Sequence, residues 1–271
     1  MFARIVDTIY EVPQVKRFLN RTWYQYLAKA DKDAHMLFMN YGYADPKAAT
    51  AALDLDPADE SRRLCIQLYQ RVAGAIDLSG KDVLEIGCGR GGGCSYIMRY
   101  LRPKSMTGMD IADNAVAFCR NYHAVPGLLF RQGDAEALPL ADHSCDVVVN
   151  VESSHCYGSM ERFVSEVARV LRPGGFFLFT DHRPSGQLNR LRGQLCSQLQ
   201  LLDEERVTLG VLKALDLDHE RKLALIQQKA PKWLRKQFHM FAATKGSPLY
   251  ENFRSGTVEY LRFVLQKANS A

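Results

Sequence analysis

Three groups of residues in this 271-residue chain have the types and spacing to do chemistry. The first is a glycine run, Gly87, Gly89, Gly91, Gly92 and Gly93, set directly after Val83-Leu84-Glu85-Ile86. Glycine reaches positive φ and has no Cβ to hold a ligand away. A strand–glycine–helix passage therefore brings backbone close to a bound nucleotide. Gly87, Gly89 and Gly92 satisfy the dinucleotide spacing G-x-G-x-x-G, while Gly87, Gly89 and Gly91 satisfy G-x-G-x-G, with Glu85 two residues ahead. The glycines alone leave both templates open.

The second group is a pair of acids, each closing a strand-like run. A carboxylate at Asp110, 23 residues after Gly87, can accept from both ribose hydroxyls. At Asp134, in Gly133-Asp134, a side chain can take a hydrogen bond from an adenine amino group. The third group is Glu152-Ser153-Ser154-His155, after the apolar run 145–151. Histidine is the natural base near neutral pH, so His155 is the candidate base and Glu152 its orienting partner or a second base. His182 is the alternative. The remaining histidines, His35, His123, His143, His219 and His239, fall on helices or polar loops and are expected to be solvated.

These residues need elements to position them, and the hydrophobic pattern supplies them. Apolar runs at 83–86, 105–109, 128–132, 145–151 and 176–180 read as strands, with 200–207 and 259–266 as later ones. Helical spacing covers 58–75, 95–101, 111–122 (capped by Asp113), 159–171, 186–198 and 209–243, the last broken at Pro231. Residues 245–248 read as a turn. Strands that are apolar throughout and alternate with helices imply an α/β fold: a doubly wound, mostly parallel seven-stranded sheet with a helical cap. The expected division is 1–58 for N-terminal helices and a lid loop, 59–183 for the nucleotide-binding core, 184–257 for a cap insertion and 258–271 for the last strand and tail. Ligands of such sheets bind at the carboxyl ends of the strands, under the cap.

Residues 1–35 read as an amphipathic helix with Val15, Phe18, Leu19, Trp23, Tyr26 and Leu27 on one face and Lys16, Arg17, Arg21 and Lys29 between them. It would pack on its own domain, or serve as a subunit contact giving a homo-oligomer, a lid or a membrane contact. The aromatic loop Phe38-Met39-Asn40-Tyr41-Gly42-Tyr43 would close over a ligand or pack in the core.

Composition bounds the rest. Hydrophobic residues at 47% and charged residues at 24% fit a globular chain, and a net charge of +5 permits an anionic ligand without requiring one. Seven cysteines, an odd count with no C-x-x-C pair, read as reduced thiols of a cytoplasmic protein. Neither zinc spacing nor a histidine or carboxylate cluster marks a metal site, and no apolar stretch is long enough to span a bilayer.

Taken together, VLEIGCGRGG (83–92), MDIA (109–112), GDAEALP (133–139), DVVVNVESSHCY (146–157) and VLRPGGFFLFTD (170–181) resemble class I S-adenosylmethionine-dependent methyltransferases. The blocks stand in family order across about 100 residues of the core. Outside it, NYGY, NVESSHCY and FRSGTVEYLRFVLQK resemble a bacterial natural-product and lipid group. That group includes the phthiotriolone dimycocerosate methyltransferases and an indole-terpenoid C-methyltransferase. The resemblance implies a cofactor, S-adenosylmethionine, and a bulky, largely apolar small-molecule acceptor; oxygen is slightly favoured over carbon as the accepting atom. It implies that Gly87, Gly89 and Gly91 admit the methionine part and that Asp110, with Ile111 beside it, takes the ribose. Asp134 with the Ala135 amide would bind adenine. Asn150 and Val151 would pass near the sulfonium, and Tyr43 would cover the methionine end. Alternatives are C-methylation coupled to cyclisation, a non-catalytic scaffold and a nicotinamide oxidoreductase, against which Asp134 speaks. Nucleic acid is not an expected partner, since no N/D-P-P-Y/F motif for a flipped base occurs.

Overall fold

The computed structural model describes residues 36–47 and 53–269. The helix expected over 1–35, and with it the subunit or membrane contact assigned to it, lies outside the described residues.

Chain order runs α1 (Arg63–Ala73), β1 (Asp82–Ile86), α2 (Gly92–Tyr96), β2 (Ser105–Asp110), α3 (Asp113–Tyr122), β3 (Leu128–Gln132), β4 (Cys145–Val151), α4 (Met160–Val170) and β5 (Leu171–Pro184). Then come α5 (Leu188–Leu195), β6 (Gln200–Arg206), α6 (Thr208–Leu217), α7 (His219–Lys229), α8 (Arg235–Phe241), α9 (Pro248–Ser255) and β7 (Val258–Gln266). The seven strands form one sheet in the order β3-β2-β1-β4-β5-β7-β6. β1 to β5 are parallel, and β7 lies antiparallel to both β5 and β6.

Strand side chains alternate between faces, and here both faces are covered. On β4, Val147 and Val149 join Ile66, Leu68 and Val72 of α1 in one buried cluster. Val148, between them, joins Phe163, Val164 and Val167 of α4 in the other. From β1 the chain winds outward one way to β2 and β3, and the other way to β4 and β5. The crevice beyond the carboxyl ends of β1 and β4 is thus the switch point at which such sheets bind ligands. The glycine loop, Asp110 and Glu152 all emerge at this edge.

Several elements depart from the sequence reading for local reasons. The helix α3 starts at Asp113 with Ala112 as its cap residue, because Asp110 takes the Ala112 N–H at 2.9 Å. The strand β5 reaches from Leu171 to Pro184, because β7 pairs with it as far as His182, Arg183 and Pro184. The expected turn at 245–248 instead launches α9: Ser247 accepts the Tyr250 N–H, and Pro248 occupies the first helical turn. Helix 209–243 breaks at Asp218 as well as Pro231, giving α6, α7 and α8. The stretch 184–257 includes β6, a strand of the main sheet. Ile226, Ala230, Leu234 and Phe238 of the cap form a small core of their own.

Candidate active site

The glycine loop is fastened before any ligand arrives. Gly87 and Cys88 both donate to the Met109 carbonyl, at 2.8 and 3.0 Å. Gly89 donates to Asp110 Oδ2 at 2.8 Å, and Ala112 to Asp110 Oδ1. Burial raises the Asp110 pKa, and the amides of Ala112, Gly89 and Ile111 oppose the rise. Gly87 has φ +75°, and a Cβ there would stand 2.4 Å from Ser153 Oγ. Gly89 has φ +54°, and a Cβ would stand 2.3 Å from Met39 Cε. Neither position admits another residue without movement. Beneath the loop, fully buried Glu85 accepts from Tyr69 Oη at 2.6 Å and Cys94 Sγ at 2.8 Å. Burial pushes its carboxyl up to about 7.

A cleft of about 1160 Å³, mouth included, opens here. Gly87, Gly89, Asp110, Ile111, Asp134, Ala135, Val151 and Glu152 line it, as expected residues brought to one place. Asp134 also accepts the Glu136 N–H at 3.0 Å, which shapes its own turn. Four expected residues do not line it. Gly91 begins α2 against Phe130 and His123. Fully buried Asn150 lies below the floor and donates to the Ile86 carbonyl at 2.9 Å and to Ser153 Oγ at 2.8 Å. Tyr43 packs over Gly210, its amide bound to the Leu64 carbonyl, so it cannot cover this cleft. His155 stands behind the wall. The loop residues Leu37, Phe38, Met39 and Asn40 line the cleft instead, with Ser153, Cys156 and Tyr157.

A second cavity, about 890 Å³ with its mouth included, adjoins the first. Phe38, Met39 and Asn40 line both. Leu225, Ile226, Ala230, Phe238 and Phe241 of the cap make its apolar wall, and Arg221, Lys222 and Lys229 stand among them, Lys222 with Asp218 Oδ2 4.0 Å away. Lys222 Nζ donates to the Ala242 carbonyl at 3.2 Å, and burial lowers its pKa from 10.5.

Between the cavities and β5 runs a buried acid–histidine network. Glu152 turns off β4 at φ +53°, and its Oε2 accepts from the Tyr41 amide at 2.9 Å and Tyr260 Oη at 2.8 Å. Burial pushes its carboxyl up to about 8, so it is mostly protonated at neutral pH. Asp181 lies on β5 and is fully buried. It accepts from His155 Nδ1 at 2.9 Å, the His155 amide at 2.9 Å, Ser154 Oγ at 2.6 Å and the His182 amide at 2.8 Å. Arg183 Nη1 lies 3.1 Å away. Burial pulls the His155 pKa down, but Cys156 and Asp181 outweigh it and hold it well above 6.5. His182, buried against Tyr41, Phe253 and Tyr260, is pushed down to about 3 by burial and by charge on His155. One imidazole is thus held charged and the other neutral.

Among the described residues, His155, Asp181 and His182 are the trio whose ligand atoms lie within 4.8 Å of one another. The sequence showed no such cluster. Both Asp181 oxygens already meet N–H or O–H donors and Arg183 adds positive charge, while buried His182 Nε2 has no hydrogen-bond partner among the described residues. His123 also departs from expectation: its Nε2 lies 2.8 Å from the Arg90 carbonyl, and burial lowers its pKa. All seven cysteines are free thiols, five of them buried. No helix among the described residues is long and apolar enough to cross a membrane.

Residues 84–179 match the methyltransferase domain family. A fatty-acid O-methyltransferase of Mycolicibacterium smegmatis is 39% identical over 246 residues, covering 90% of this chain and 88% of that protein. The chain is a member of the S-adenosylmethionine-dependent methyltransferase family. A phthiotriol/phenolphthiotriol dimycocerosates methyltransferase of Mycobacterium tuberculosis is 37% identical, covering 91% of both chains. In fold, the methyltransferase is similar to the [4+2]-cyclase SpnF (TM-score 0.67, 18% identity), covering 98% of this chain and 96% of that one. It is also similar to geranyl diphosphate C-methyltransferase from Streptomyces coelicolor (TM-score 0.63, 16% identity, 90% and 98% covered).

The cleft fits the methyl donor on its own evidence. Two glycines sit where a Cβ would fill the cradle, and an acid stands at the rim. Asp181 and Lys222 are the residues that sequence reasoning passed over. Asp181 left one signal, an acid directly after FFLFT. Lys222 left none, because its burial depends on packing by Ala242 and the cap.

Proposed function

We propose that this methyltransferase holds S-adenosylmethionine in the glycine-loop cleft and methylates the carboxylate oxygen of a long, apolar acid seated in the second cavity. The observation that carries the reading is the shared wall: Phe38, Met39 and Asn40 border both spaces, and the second presents the cations Arg221, Lys222 and Lys229 among apolar side chains. When bound, the cofactor supplies an electrophilic methyl group on a positive sulfur. Gly87 and Gly89 would admit its methionine part, Asp110 and Ile111 would meet the ribose, and Asp134 with the Ala135 amide would meet adenine. Val151 would form the floor, fixed from below by Asn150. Residues 37–40 take over the covering role first assigned to Tyr43.

Methyl transfer requires that the nucleophile be placed in line and water excluded. A carboxylate arrives already anionic and needs no base. That matters because neither expected base is ready at pH 7: Glu152 is held protonated and His155 is held charged. In this reading His155 and Asp181 fix the wall behind Glu152, and Lys222 offsets the acceptor's charge. The fatty-acid O-methyltransferase among the relatives supports an acid acceptor. A hydroxyl or carbon acceptor would need a proton removed. Glu152, on the cleft wall with a pKa of about 8, is the group that favours this second reading.

The test is methyl transfer to saturated fatty acids of graded length and to the matching alcohols. Acids should be methylated, with KM falling as the chain lengthens. Removing one charge-assisted contact costs roughly 1.5 kcal/mol or more, so Lys222→Met should raise KM for acids about tenfold with little change in kcat. Alcohols methylated in place of acids would favour the second reading.

A further inference from the structure

Residues 221–250 hold seven Lys or Arg and no Asp or Glu, in a chain whose whole net charge is only +5. Folding sorts these charges. Arg221 and Lys222 face Asp218, and Lys245 faces Asp216. Lys232 and Lys236 are exposed and make no ion pair among the described residues, and Lys229 is exposed beside them. Beside these cations Trp233 is 77% exposed and Met240 47%. Trp233, Lys236 and Met240 recur at three and four residues, so they share the outer face of α8 and its leading turn. Leu234 and Phe238 on the opposite face are buried in the cap core, with Phe241 packed against them. Phe238 and Phe241 also line the second cavity. One short segment therefore carries a basic, aromatic outer face and the wall of that cavity.

We propose that residues 229–240 rest on an anionic lipid surface, from which the apolar acceptor passes into the second cavity without crossing water. The proposal relies on that cavity being the acceptor site. Tryptophan favours the interface between headgroups and acyl chains, and an exposed tryptophan flanked by lysines is the pattern of a surface-lying segment. Each lysine near an anionic surface changes partition about fivefold. An acidic protein partner would use the lysines, but lipid also accounts for Trp233 and Met240.

The test is flotation of the full chain with phosphatidylglycerol vesicles and with phosphatidylcholine vesicles. Binding to the anionic vesicles is expected, with quenching of tryptophan emission by brominated lipid. Charge reversal in a K232E/K236E double variant should weaken binding at least about tenfold, and Trp233→Ala should abolish the part of the quenching that Trp233 contributes. All three residues lie outside both cavities, so methylation of a short, water-soluble acid should be unchanged in these variants. Absence of anionic-vesicle binding, or binding indifferent to the substitutions, would overturn the proposal. So would capture of an acidic acyl carrier protein, lost in K232E/K236E, with no vesicle binding. If wild type binds vesicles and the variants do not, yet no acid is ever methylated, the acceptor reading fails and the surface contact stands.

Discussion

Glu152→Gln separates a buried neutral carboxyl from an ionised one. The Glu152 pKa rises from an ordinary 4.5 to about 8, chiefly through burial. Between those values the unfolded chain has released the proton and the folded chain still holds it, so stability falls as pH rises. The full interval is worth roughly 5 kcal/mol at most, spent by about pH 8, with little further change above it. Glu85, raised to about 7, adds a fall of the same sign over a narrower range. Glutamine is neutral throughout and can still accept from the Tyr41 amide and Tyr260 Oη. E152Q should therefore match wild type near pH 4.5 and exceed it at pH 8.5 by a few kcal/mol. Urea unfolding at both pH values measures this. Parallel stability curves for the two proteins would refute the buried, protonated carboxyl. The same ionisation governs turnover. With an acid acceptor, activity should drop as pH passes 8, because a second negative charge appears on the cleft wall. With a hydroxyl acceptor it should rise there.

Asp110→Ala removes the acceptor of two backbone amides and the acid proposed for the ribose. Losing two charge-assisted hydrogen bonds should weaken S-adenosylhomocysteine binding by roughly a hundredfold or more in calorimetry; unchanged affinity would dismiss the cleft as the cofactor site. Asp181→Asn takes away one of the two groups, beside Cys156, that raise the His155 pKa, so that pKa should fall in an NMR titration. The wild-type contribution of this raised pKa is complete below the unfolded value and is lost as pH rises through the folded one. The variant should accordingly lose most stability at low pH, about 3 kcal/mol or more where a buried pair is broken. An unmoved His155 titration would contradict the assignment.

How far the sequence can be read depends on whether a feature is local. The strand β4 matches its apolar run residue for residue, because a strand covered on both faces is almost continuously apolar, and β3 keeps its expected bounds as an edge strand that exposes Leu129, Arg131 and Gln132. The glycine loop, Asp110 and Asp134 were legible because chain order alone sets them at neighbouring strand ends. The ends of β5 were not: His182, Arg183 and Pro184 are strand residues only because β7 pairs with them. The loop at 38–43 was visible as a candidate lid, yet which aromatic lines the cleft depends on Leu64 and Gly210, which fix Tyr43 elsewhere. The contact of His155 with Asp181, 26 residues apart, arises from the side-by-side pairing of β4 and β5. Hence His155 could be recognised as a reactive type, but its charge state could not.

The most direct test of the account is the identity of the product formed from isotopically methyl-labelled S-adenosylmethionine and a long-chain fatty acid, read by mass spectrometry after alkaline hydrolysis. The account predicts a labelled methyl ester that hydrolysis returns to unlabelled acid. A label that survives hydrolysis on carbon, or no transfer while S-adenosylhomocysteine still binds, would contradict it.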